Sequence, residues 1–342
     1  MWLPVCGYEG LYEVSDCGEV KSLNYNHTGK EKILTPKRHS SGYNTVVLCK
    51  NDGTVYKTEN VASGSSYTLP SVRNASGYTF MGWDIQLGKS TAPRYEAGDT
   101  ITVNSNIKLY AVVFNRSAEE DLTLSELLQS ASSWKIGKGS SRGNNNIIFV
   151  GDFRTNRMQR TLQNLNSGYY ESNLLRDIDF VYEEGKGLEW LKSQGMNTVL
   201  SIAEENYSVL KPTAVIFNLG VNDPGNMYDY ISYYQEIAES LQKKNCKLFF
   251  MSVNPVNSKT IEYLGKNAIR KEEVIRKFNS VVGSALGSTF EYIDTYSYLM
   301  ENGYGTNISG TGVDLPDDDG LHYTTKTYKR IFKYCLDYLI LH

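Results

Sequence analysis

Ile147-Ile148-Phe149-Val150-Gly151-Asp152-Phe153-Arg154-Thr155 decides the fold of the larger part of this chain. Four apolar residues run into a glycine, an acidic residue and then a polar segment, which reads as a strand ending at a functional turn before a helix. Similar apolar runs recur at Ile178-Asp179-Phe180-Val181, Ala214-Val215-Ile216-Phe217-Asn218-Leu219 and Lys247-Leu248-Phe249-Phe250-Met251-Ser252. Between them lie helical patterns at about 155–165, 187–194 and 227–243, with two more at about 267–285 and 323–340. Strands of four to six residues alternating with helices of ten or more predict a parallel sheet in a layered α/β domain over 147–342.

Functional groups in such sheets gather at the carboxyl ends of the strands. Three motifs fall at such ends or before the last helix: Gly151-Asp152-Phe153, Gly220-Val221-Asn222-Asp223 and Asp319-Gly320-Leu321-His322. With Gly187 in Gly185-Lys186-Gly187-Leu188, and Ser252-Val253-Asn254-Pro255, their order resembles the SGNH (GDSL-like) ester hydrolases over roughly 145–340. The resemblance implies an α/β three-layer sandwich with a parallel sheet, flavodoxin-like in layering. It also implies a general base at His322, an orienting carboxylate at Asp319, and oxyanion donors from the Asn222 side chain and the Gly187 backbone.

Those residue types suit acyl transfer. A serine nucleophile needs a base within hydrogen-bond reach and a third group to fix that base's tautomer. The oxyanion needs donors aimed at it. The nucleophile position itself holds Phe153, whose ring offers no attacking oxygen and fills space meant for a substrate carbonyl. Thr155, two residues on at the start of a helix, is expected to point elsewhere. Loss of a triad member leaves only a residual acceleration, roughly 10³–10⁴ over water in well-studied hydrolases.

Two small β-rich modules precede this domain. Residues 1–57 contain Trp2-Leu3-Pro4-Val5, Gly7-Tyr8-Glu9-Gly10-Leu11-Tyr12-Glu13-Val14-Ser15, Gly18-Glu19-Val20-Lys21-Ser22-Leu23, Leu34-Thr35-Pro36 and Ser41-Gly42-Tyr43. They resemble the modular DNA-binding motif attached to homing-type HNH endonucleases, which implies DNA as a partner. Charge tempers it, leaving a working DNA module and a retained fold that no longer binds DNA both open: residues 1–60 hold seven Lys/Arg against seven Asp/Glu, with only Lys30, Lys32, Lys37 and Arg38 clustered. Asp52-Gly53 between Thr45-Val46-Val47-Leu48 and Val55-Tyr56 predicts a hairpin turn.

Residues 58–115 contain Tyr67-Thr68-Leu69-Pro70, Gly77-Tyr78-Thr79-Phe80-Met81-Gly82-Trp83, Tyr95-Glu96-Ala97-Gly98-Asp99 and Leu109-Tyr110-Ala111-Val112-Val113. Together these resemble one internalin-type B-repeat, a module of cell-surface adhesion proteins. Gly77 and Gly82 are expected at turns or bulges, with Phe80, Trp83 and Tyr110 as a miniature core and the module as a spacer. Residues 116–146 read as a connector: Thr123-Leu124-Ser125-Glu126 is a capping box opening a short helix, and 138–146 is a polar linker.

The net charge of −3 and pI near 5.9 argue against a protein that coats nucleic acid. No apolar stretch approaches the roughly 20 residues of a membrane span, and no signal peptide is visible. Cys6, Cys17, Cys49, Cys246 and Cys335 form no CxxC pair, so neither a disulfide framework nor a zinc site is indicated, and no cofactor is implied. With 26 tyrosines, glycan or protein contact surfaces are well supplied. The expected function is therefore a degenerate hydrolase pocket binding a glycan or an acylated cell-surface ligand. Cytoplasmic synthesis followed by release in a phage virion or by lysis would reconcile the modules with the missing leader. An active carbohydrate or lipid esterase with an atypical nucleophile, and a structural or adhesive display protein, remain the alternatives.

Overall fold

The computed structural model describes residues 2–5, 9–16, 19–34, 42–136, 146–166, 174–175, 177–265, 269–307 and 318–341, the side chains of 26, 132–136 and 166 excepted. Cys6, Cys17, Lys37, Arg38, His39 and most of the 138–146 linker fall outside these residues. The contacts gather into two compact units: 1–48, 55–67 and 101–108 in one, and 49–54, 68–100 and 109–342 in the other.

In the first unit, β1 (Trp2–Pro4), β2 (Tyr12–Ser15), β3 (Val20–Ser22) and β4 (Lys32–Leu34) form an antiparallel meander in that order. Lys21 stands directly opposite Glu13 across β2 and β3, and its ammonium contacts Glu13 at 2.7 Å and Glu31 at 3.2 Å. It also lies 5.0 Å from the Trp2 ring centre, while Lys32 lies 4.1 Å from that of Tyr25. Next in the chain come β5 (Tyr43–Cys49) and β6 (Val55–Ala62), neighbours in a second sheet. The predicted Asp-Gly turn joins them, with Lys50 N donating to Thr54 O at 2.7 Å and Gly53 at φ +86°.

The repeat continues through β7 (Ser66–Thr68), β8 (Tyr78–Asp84), β9 (Thr100–Thr102) and β10 (Ile107–Asn115), with β8 antiparallel to β10. Gly77 turns the chain at φ +76°. Gly82, at φ +146°, sits where the register of β8 on β10 slips; a Cβ there would fall 2.3 Å from Tyr95 O. Trp83 and Phe80 are buried and meet edge-on at 5.4 Å. Tyr110 departs from expectation: it is half-buried, and its neighbour Leu109 fills the core because β10 alternates faces.

The capping box forms at α1 (Leu124–Ile136), Thr123 N donating to Glu126 at 2.7 Å and Glu126 N to Thr123 Oγ1 at 3.3 Å. Five parallel strands follow: β11 (Ile147–Gly151), β12 (Ile178–Tyr182), β13 (Thr213–Asn218), β14 (Cys246–Met251) and β15 (Glu291–Ile293). Their spatial order is β12-β11-β13-β14-β15. Every residue of β11 and β13 is buried, the mark of strands covered on both faces.

The covering helices are α2 (Phe153–Asn166), α3 (Leu188–Trp190), α4 (Met196–Glu205), α5 (Met227–Gln242), α6 (Ser258–Tyr263), α7 (Glu272–Leu286), α8 (Thr295–Asn302) and α9 (Thr325–Leu341). A π-helical segment, Leu191–Gly195, joins α3 to α4. Helices α1, α2 and α9 pack together, as do α5 and α7. The chain runs from β11 to β12 on one side and from β13 to β14 on the other, so the connections reverse direction between β11 and β13. In such sheets ligand sites lie beyond the carboxyl ends of the strands at that switch point. No helix among the described residues is long and apolar enough to cross a membrane.

Candidate active site

Asp152 is the first residue past β11 and is fully buried. One carboxylate oxygen caps α2, accepting Arg154 N at 2.9 Å; the other lies 3.4 Å from Asn222 Nδ2. Burial pushes its carboxyl up to about 6, against the pull of the Arg154 charge and amide.

Phe153 opens α2 and is only 6% exposed. Its ring meets the His322 imidazole edge-to-face, with centroids 4.5 Å apart and planes at 63°. Thr155 is buried in α2, where it lines a small cavity with Phe149, Met158 and Ile331.

His322 lies in a bend tied to the chain before it: Asn307 N donates to His322 O at 2.6 Å, and Thr306 bridges Tyr323. Its Nδ1 is hydrogen-bonded to Asp319 Oδ2, while Asp319 Oδ1 accepts the amides of Leu321 and His322 at 2.9 Å each. Burial would raise Asp319, but its hydrogen bond and charge contact with His322 outweigh that and hold it down at about 2. For His322, burial dominates and lowers the imidazole below its ordinary value; Asp319 opposes this, and the charges of Arg157 and Arg154 add to it. Burial thus favours the neutral imidazole beside the Asp319 carboxylate, the form of His322 that accepts a proton.

Asn222, past the end of β13, is held from three sides. Its Nδ2 donates to Lys186 O at 2.7 Å, Arg270 Nη2 donates to its Oδ1 at 2.8 Å, and Arg270 Nε donates to Val221 O at 3.1 Å. Gly187 precedes α3 against Asp223, where a Cβ would lie 2.3 Å from Oδ2. Asp223 in turn accepts Leu188 N at 2.9 Å and the Tyr230 hydroxyl at 2.7 Å.

Thus Phe153, Asp319 and His322 make one contact group, and Asn222 joins it through Asp152. Gly187 connects to the Asn222 turn through Asp223. Sequence reasoning missed Arg154 and Arg270. Arg154 is 3% exposed and donates to Asn254 O, Pro255 O and Leu321 O at 3.0, 3.2 and 3.1 Å, stitching the β14 turn to the His322 segment. Its place beside Phe153 was the only signal; Arg270 carried none. Among the described residues, no group of three or more His, Cys, Asp or Glu is placed to hold a metal ion.

Comparison with known families returns three matches. The GDSL-like Lipase/Acylhydrolase family model matches residues 97–335, the Listeria-Bacteroides repeat domain 45–112 and the NUMOD4 motif 1–49. Among solved structures, a GDSL-like lipase from Bacteroides thetaiotaomicron is 15% identical, covering 63% of this chain and 98% of its own, with a TM-score of 0.39. A member of the lipolytic G-D-S-L family from Veillonella parvula is 18% identical over 55% of this chain and 94% of its own, at TM-score 0.35. A carbohydrate acetylesterase from Sinorhizobium meliloti is 11% identical over 57% and 98%, at 0.37. No curated protein matches.

Proposed function

The chain belongs to the GDSL-like lipase/acylhydrolase family, and from that premise we propose that it is a catalytically impaired member that recognises an acylated glycan or other acylated cell-surface ligand without cleaving it. The observation that carries this reading is the Phe153–His322 contact: the base is present and oriented, and an aromatic ring occupies the place of the group it would activate. Asp319 would fix the His322 tautomer, the Gly187 amide would face a substrate carbonyl oxygen, and Asn222 would join it by giving up its long 3.4 Å contact to Asp152. Without an attacking oxygen at 153, these groups retain recognition and lose acyl transfer.

A second reading is hydrolysis by water activated at His322, favoured by the intact Asp319–His322 pair alone. Turnover of p-nitrophenyl acetate separates the two. Activity appearing only in Phe153→Ser, and lost again in Phe153→Ser/His322→Ala, supports the impaired pocket. Activity in the unaltered chain that vanishes with His322→Ala overturns it. Binding of the unaltered chain to an array of acetylated and deacetylated glycans tests the ligand class, and equal signals on both would reject acyl recognition.

A further inference from the structure

We propose that the β-repeat is a positioning element of the His322 segment, acting through Asn74 and Asp318, rather than a spacer. This rests on the reading of His322 as the surviving base. Asn74 sits between β7 and β8, 6% exposed, with every valence of its side-chain amide used. Nδ2 donates to Asp318 Oδ2 at 2.9 Å and to Thr306 Oγ1 at 3.0 Å; Oδ1 accepts Phe80 N at 2.8 Å and Asn257 Nδ2 at 2.9 Å.

Asp318 immediately precedes Asp319. Its Oδ1 accepts Gly320 N and the Thr306 hydroxyl, both at 2.7 Å, and its Oδ2 lies 3.3 Å from Arg116 Nη1, a residue following β10. Arg116 also donates to Thr306 O at 2.5 Å. Asn257 closes the circuit, donating through its backbone to Gly320 O at 2.7 Å and through its side chain to Val72 O at 2.9 Å. The turn that aims Asp319 and His322 is thus braced by the repeat at Val72 and Asn74, and by Arg116 just after it. A buried polar network of this kind fixes one geometry only while every member is satisfied. Removing Asn74 leaves the Asp318 carboxylate short of a donor and frees the turn to shift, and shifts of about 1 Å at a catalytic group cost up to about 100-fold in rate.

The test is the NMR titration of His322 in the full chain, assigned by comparison with His322→Gln. In Asn74→Ala the His322 pKa should climb towards the ordinary value near 6.5, because a loosened turn hydrates the ring. Asp84→Ala, which removes the Lys89 ion pair and the Gln86 and Arg94 amide bonds inside the same repeat, should leave His322 unmoved. Should Asn74→Ala fail to fold, Arg116→Gln withdraws the charge from Asp318 and should move His322 in the same direction. In a Phe153→Ser background, Asn74→Ala should lower kcat with little change in KM and shift the pH profile. An unchanged His322 titration in folded Asn74→Ala overturns the proposal, as does an equal response in Asp84→Ala. If Phe153→Ser proves inactive, the impaired-pocket reading fails while the titration still decides this one.

Discussion

Arg270 holds Asn222 by its carbonyl oxygen and by the backbone of the preceding residue, leaving the Asn222 amide group directed at Lys186 O and Asp152. A side-chain amide can turn end for end at little cost, and a cation on the oxygen fixes which end faces the site. Arg270→Ala should therefore weaken Phe153→Ser catalysis towards the roughly 100-fold loss of one oxyanion donor. Steady-state kinetics on the paired variants would read it; an unchanged kcat would show that Arg270 is only structural.

Restoring a nucleophile has a stability cost. Phe153 is buried against His322, and Phe→Ala in cores loses about 3–5 kcal/mol. Serine at the mouth of the site, where water can refill the space, should lose about 3 kcal/mol. Urea unfolding of Phe153→Ser beside the unaltered chain measures this, and equal midpoints would mean the ring packs on nothing.

The site's titrations oppose one another. His322 is depressed on folding, so its contribution is present above about 6.5 and fades as pH falls through its folded value. Asp152 is raised to about 6, so its contribution is present below 3.8 and lost as pH rises through about 6. Relative to His322→Gln, the unaltered chain should lose stability as pH drops below 6.5. Unfolding free energies at several pH values between 4 and 8 check the slope; parallel profiles would contradict it.

Gly187→Ala should disturb Asp223, since the new methyl would stand 2.3 Å from its carboxylate. Displacing that group breaks its bonds to Leu188 N and the Tyr230 hydroxyl. Overpacking of this kind costs typically about 1–3 kcal/mol. Thermal unfolding should register it, whereas Gly185→Ala, limited to the penalty of a positive φ in open space, should cost less.

Residues 1–60 should not retard duplex DNA at about 150 mM salt and low micromolar protein, since even non-specific binding needs about 10⁻⁴–10⁻⁶ M and rests on unpaired cations. Lys21 is committed to two glutamates and Lys32 lies over Tyr25. A sequence-specific shift in a gel assay would show that the module reads bases through other residues.

The parallel sheet was legible because four of its strands are apolar runs, each found within one residue of its observed ends. β15 escaped because Glu291-Tyr292-Ile293 is too short and too polar to form such a run, and α6 and α8 are likewise brief. At the site, motif order brought forward Asp319, His322, Asn222, Gly187 and Phe153. Arg154, Arg270 and Asn74 stayed hidden because their work lies in contacts across the fold: Asn74 meets Asp318 from 244 positions away. No local pattern encodes such a pairing.

That separation has a consequence for synthesis. The clamp of Glu119 on Thr324 at 2.8 Å and Arg330 at 3.3 Å, like the Asn74–Asp318 bond, joins segments made far apart in time. At translation speeds of about 5–20 residues per second, the partners of Asn74 and Glu119 emerge roughly 10–50 s later. Through that interval Asn74 and Glu119 wait with polar groups unmatched, and the nascent repeat cannot reach its final packing until residues 318–330 have been made.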